Sequence, residues 1–74
     1  MTGEKLKLKQ TLARNMKKHR AELRLTQEEA AERADFTVKY WQRLEMVSQS
    51  DLPSLMALAK IAKALNIKIH QLFL

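Results

Sequence analysis

The side chains best equipped for chemistry in this chain stand together at Val38, Lys39, Gln42 and Arg43. At helical spacing they point one way, while Trp41 and Leu44 point the other. A small, mixed, non-acidic outer face of this kind, set in a basic chain, has the makings of a reading head for DNA. Bond-breaking chemistry has no comparable support. There is no nucleophile–base–acid constellation, and a glycine-rich phosphate loop is excluded because Gly3 is the only glycine. Two histidines, His19 and His70, without any cysteine make a metal centre improbable. No enzyme, metal or cofactor is therefore expected.

Those four residues need a support that holds them clear of the core. The stretch from Leu25 to Glu45, LTQEEAAERADFTVKYWQRLE, reads as two short helices joined by a tight turn. Thr26 followed by Glu29 has the form of a capping box, and Glu28 and Glu29 place negative charge at the positive end of the helix dipole. Ala30, Ala31 and Ala34 form one apolar face. Asp35 suits a turn, and Thr37 suits the cap of the second helix. Helix 2 is thin, so Trp41 and Phe36 are the large residues available to fill the space opposite it. Stacking of either ring on bases is the alternative.

Upstream, a helix fits from Leu8 to Leu23, with Leu8, Leu12, Met16 and Leu23 as its apolar stripe. Lys9, Arg14, Lys17 and Lys18 fall on the other side. Residues 1–7 read as a flexible basic arm, either a solvated tail or a phosphate contact, and residues 8–74 as one domain. Downstream, Pro53 and Ser54 suit the first turn and cap of a fourth helix. Leu55, Leu58, Ile61, Ala62 and Leu65 form its expected buried stripe, and Asn66 suits a left-handed stop. Ile67, Ile69, Leu72, Phe73 and Leu74 then crowd apolar side chains into the last eight residues. Such a patch on a small domain marks an association site.

Seventy-four residues make a single domain, and 46% hydrophobic residues suffice for a helical core. The net charge of +6, with a pI near 10.0, points to a polyanionic partner. Residues 1–24 alone hold eight basic and two acidic residues, so the electrostatic footprint lies in the first third. The opening MTGEKLKLKQ lacks the apolar core of a signal peptide, and no segment reads as membrane-spanning. A cytoplasmic protein without membrane contact is expected.

Three blocks carry a resemblance: LTQEEAAERA, the run from Trp41 to Glu45, and PSLMALAKIAKALNI followed by IHQLF. In that order and spacing, over about residues 12–73, they resemble the Cro/repressor-type (lambda-repressor-like, XRE) helix-turn-helix family. The resemblance implies an all-α fold, a compact bundle of five short helices with the helix-turn-helix at helices 2 and 3. It also implies a sequence-specific regulator, repressor-like and dimeric, reading a near-palindromic double-stranded operator with helix 3 in the major groove. Val38, Lys39, Gln42 and Arg43 match the family's base-reading positions. Arg43 suits guanine O6 and N7, Gln42 suits adenine, and Val38 suits a thymine methyl. Gln27, Thr37, Tyr40, Lys17 and Lys18 become phosphate contacts. Arg20 and Glu45 become a structural ion pair, with two solvated surface charges as the alternative. Ile69, Leu72, Phe73 and Leu74 become the dimerisation surface.

This chain departs from the family at its turns, where Arg24, Asp35 and Val47 stand in place of frequent glycines. A positive φ suits Asp, but strains Arg and especially Val. Asp51 in the Val47–Leu52 loop argues against phosphate contacts there, and His19 replaces an aliphatic residue. The competing class is a protein-interaction module or antitoxin whose apolar C-terminus binds a partner protein. Attraction of the Lys-rich first helix to anionic lipid is a third reading.

Overall fold

A computed structural model describes residues 3–47 and 52–74. Among them the chain forms four α-helices, α1 (Gly3–Glu22), α2 (Gln27–Arg33), α3 (Val38–Leu44) and α4 (Leu55–Ala64). The fifth expected helix is instead a short 3-10 element over Ile69–Phe73. Five residues after the Asn66 stop are too few for a stable α-helix, and the tighter winding commonly serves such short pieces.

Helix α1 also differs from expectation at its start. It begins at Gly3 rather than Leu8, so residues 3–7 continue the helix instead of forming an arm. Met1 and Thr2, the rest of that arm, lie outside the described residues, as do residues 48–51 of the Val47–Leu52 loop. The buried face of α1 is Lys9, Leu12, Ala13 and Met16, and Leu8 and Leu23 are exposed. The geometry explains the difference. Lys9, Leu12, Ala13 and Met16 keep the three- and four-residue rhythm of one helix face, whereas steps of four from Leu8 drift around the axis. The same applies in α4, where Ala57, Ile61, Ala62, Ala64 and Leu65 are buried but Leu55, in the first turn, is 72% exposed.

The core joins Leu12 and Met16 to Ala30, Ala31 and Ala34 of the α2 end, and to Trp41, Leu44, Ile61, Leu65 and Leu72. Three alanines on α2 let the neighbouring backbone approach, and Trp41, fully buried, fills the space. Phe36 packs at the core edge, its ring edge-on to Tyr40 at 4.9 Å and 78°. Leu72 is entirely covered within the domain.

Local chemistry sets the boundaries. Thr26 accepts from the Glu29 N–H at 3.0 Å, and the Glu29 carboxylate accepts from the Thr26 N–H at 2.8 Å. The Thr26 N–H, then its hydroxyl, hold the Glu29 carboxyl below its usual range. That contribution to folding is present at neutral pH and fades as acidification passes the lowered value. Thr37 and Ser54 cap α3 and α4 in the same way, at 3.1 Å to the Tyr40 and Ala57 N–H groups.

Three helices stop on a left-handed residue that is not glycine: Arg24 (φ 56°), Asp35 (φ 60°) and Asn66 (φ 57°). Each stop closes with two backbone hydrogen bonds, as in Leu25 N to Arg20 O and Arg24 N to Ala21 O, both 3.0 Å. Asp and Asn tolerate this region, and Arg24 does so at a cost of about 1–2 kcal/mol. Replacing exposed Arg24 with Gly relieves that strain and adds unfolded-state entropy, for a net gain of about 0.5–1 kcal/mol. Thermal unfolding checks this: the Arg24→Gly midpoint should rise by a few degrees, and a fall would mean that the Arg24 side chain outweighs its backbone.

Candidate nucleic-acid interface

Helix α3 is anchored from its inner side. Trp41 and Leu44 are buried, and Glu45, its C-cap, is only 2% exposed. The Glu45 carboxylate gathers four donors. Arg20 Nε and Nη2 donate to it at 2.8 and 3.1 Å, Gln27 Nε2 at 3.0 Å, and the indole Nε1–H of Trp41 completes the set. Arg20 also donates to the Leu25 carbonyl at 3.0 Å, fastening the turn before α2. One acceptor thus ties α1, α2 and α3 together. Such an arrangement fixes geometry more than it adds net stability, because desolvating the charges offsets much of their attraction.

The opposite side of α3 faces outward. Val38, Lys39, Gln42 and Arg43 are exposed, Tyr40 is half-buried, and Thr37 is exposed at the helix start. Thr37, Lys39, Tyr40, Gln42, Arg43 and Met46 line one open concavity. Three of the four positions singled out for base reading thus share this concavity with Thr37 and Tyr40, and Val38 is exposed outside its lining. The hydroxyl of Thr37 already accepts from the Tyr40 N–H, which leaves its own hydrogen to donate elsewhere.

Gln27 takes a place that its expected role did not include. Its Nε2 donates to Glu45, while its Oε1 accepts from Gln42 Nε2 at 3.3 Å. A carboxylate only accepts, so the direction of this chain is set from Glu45 outward. Both polar atoms of Gln27 thus meet neighbours within the domain, while its amide nitrogen carries a second N–H. Lys17 and Lys18 are exposed on α1, with Gln10 and Arg14 along a basic groove that Val47 also borders. They do not share the α3 concavity.

The expected C-terminal surface is withdrawn into the domain at one of its four residues. Leu72 is in the core, Ile69 and Phe73 are half-buried against it, and only Leu74 is well exposed, at 76%. Those side chains cover the small core that α1 and α4 leave open. Asn15, buried on α1, holds this segment by donating to the Leu72 and Leu74 carbonyls at 2.8 and 3.2 Å. His19 is half-buried with Nδ1 3.0 Å from Glu22 Oε1.

Sequence reasoning missed two side chains, Asn15 and Lys9. The sequence groups Lys9 with Arg14, Lys17 and Lys18, opposite the apolar stripe of α1. Lys9 is fully buried, with Nζ 2.7 Å from the Leu44 carbonyl. The spacing of Lys9, Leu12, Ala13 and Met16 carried the signal.

A family model described as a helix-turn-helix domain matches residues 11–72 of the chain. No curated protein and no solved structure matches it significantly. No helix among the described residues is long and apolar enough to cross a membrane.

Proposed function

The chain belongs to the helix-turn-helix domain family, and from that premise we propose that it is a sequence-specific regulator binding double-stranded DNA. Helix α3 enters the major groove. The observation that carries this reading is the division of α3 into an anchored inner side, Trp41, Leu44 and Glu45, and an outward side, Lys39, Gln42 and Arg43.

Arg43 reads guanine through O6 and N7, and Gln42 reads adenine. The donor that Gln42 turns toward Gln27 leaves its second N–H for adenine N7 and its Oε1 for the adenine N6 amino group. Val38 packs on a thymine methyl, and Lys39 serves a base or a phosphate. Thr37 and Tyr40 hold phosphates and set register. Lys17 and Lys18 add diffuse attraction that salt weakens. Two copies occupy a near-palindromic operator with half-sites about 34 Å apart. In that homodimer Leu72 takes no part, and the surface is formed by exposed Leu74 with the half-buried Ile69 and Phe73. The protein regulates by occupying that operator, as a repressor in the cytoplasm.

Selection from a random duplex pool tests the proposal. An enriched inverted repeat supports it. The absence of any enriched sequence, together with a tight protein partner, would instead favour the interaction module. Within an enriched site, Arg43→Ala should lose about 1–3 kcal/mol of affinity and relax one base position. If affinity falls equally for every sequence, Arg43 touches phosphate instead.

A further inference from the structure

Lys9 has a geometry that ordinary surface charge does not explain. Its stem runs along the apolar stripe of α1, and its ammonium meets the end of α3, donating to the Leu44 carbonyl at 2.7 Å and toward the Arg43 carbonyl at 3.5 Å. The other helices with defined stops, α1, α2 and α4, close on backbone N–H groups through a left-handed residue. Helix α3 does not. Its C-cap, Glu45, is right-handed (φ −82°, ψ −2°) as Ala34 is in α2, but no left-handed residue follows it, and a lysine from another helix adds a donor at the Leu44 carbonyl. A cation at the negative end of a helix is electrostatically suited to that place, and lysine's three donors can serve more than one carbonyl.

Resting on the DNA reading above, we propose that Lys9 is a positioning residue for base recognition. It sets the tilt of α3 and so the place where Gln42 and Arg43 meet the base edges. The argument is one of leverage. Arg20 grips the α3 end through Glu45, and Lys9 grips it through the carbonyls of Arg43 and Leu44. On α1 these two residues are eleven apart, three turns or about 16 Å. One grip leaves the helix free to swing about its Trp41 anchor, whereas two from separated points remove that freedom. One of the two carbonyls belongs to Arg43, so this grip acts on the backbone of a proposed reader. Productive recognition needs placement within about 0.5 Å, which makes such a brace consequential for specificity.

The test uses the full chain with Lys9→Met, which keeps the stem and removes the donors, and Lys9→Gln, which keeps a shorter neutral donor. Two quantities are read: affinity for the selected operator divided by affinity for a scrambled duplex, and amide exchange at Gln42–Glu45. Lys9→Met should lower the affinity ratio by about tenfold or more. Scrambled-duplex binding should barely move, because the lost charge is buried and cannot reach phosphate. Exchange at Gln42–Glu45 should quicken by about tenfold relative to α1. Lys9→Gln should fall between Lys9→Met and wild type, and it carries the test if Lys9→Met does not fold. An unchanged ratio in a folded variant overturns the proposal, as does a loss shared equally by both duplexes. If the wild-type chain prefers no duplex at all, the DNA reading fails and the specificity role with it. The exchange measurement then still decides whether Lys9 braces α3.

Discussion

Glu45→Ala should cost the fold about 3–5 kcal/mol, the usual result of truncating one side of a buried charge pair. The substitution strands the Arg20 guanidinium, the Gln27 amide and the Trp41 indole N–H together, since all three donate to that carboxylate. A domain this small has a total stability of about 5–15 kcal/mol, so a large share would be lost. The melting midpoint should fall by about 12 °C or more. Trp41 is the only tryptophan, and its emission reports the loss directly. A change below about 0.5 kcal/mol would mean that Glu45 behaves as an ordinary surface residue. Replacing Arg20 and Glu45 together by leucine should cost less than the two single changes added, because neither charge is then left alone.

Trp41→Ala should be as damaging, at about 3–5 kcal/mol, because the largest side chain of the core disappears from between walls built of alanine. Alanines at 30, 31 and 34 cannot grow into the cavity, and collapse would require α2 and α3 to change their separation. Far-ultraviolet circular dichroism under denaturant titration checks this. Trp41→Phe separates the two contributions of the indole. It keeps much of the volume but removes the donor to Glu45, so its cost should be markedly smaller. An equal cost for both variants would assign the effect to the hydrogen bond and not to packing.

Much of the scaffold was legible because the signals are local. Thr26, Thr37 and Ser54 cap helices that begin one residue later, Glu29 completes the box with Thr26, and Asn66 stops α4 where its side chain best tolerates φ near 57°. The division of α3 was equally readable, because Trp41 and Leu44 share a face by spacing alone. What escaped depends on partners distant in sequence. Lys9 meets the carbonyls of residues 43 and 44, and Asn15 those of 72 and 74. Backbone carbonyls carry no residue identity, so nothing in the sequence marks them as destinations for a buried lysine or asparagine. In the C-terminal apolar cluster the expectation fails at Leu72, for a related reason. Its composition announces burial but not whether the cover is the chain's own core, as it is for Leu72, or a second molecule.

The anchoring of α3 relies on Trp41, Leu44, Glu45 and two main-chain oxygens, so it does not depend on which side chains stand outside. Exposed positions such as Val38 and Lys39 can be rewritten while the foundation beneath them stays intact. Their helix behaves as an exchangeable cartridge in a fixed holder. Libraries randomised at the outward positions should therefore stay folded at high frequency, and this small scaffold offers a starting point for retargeting.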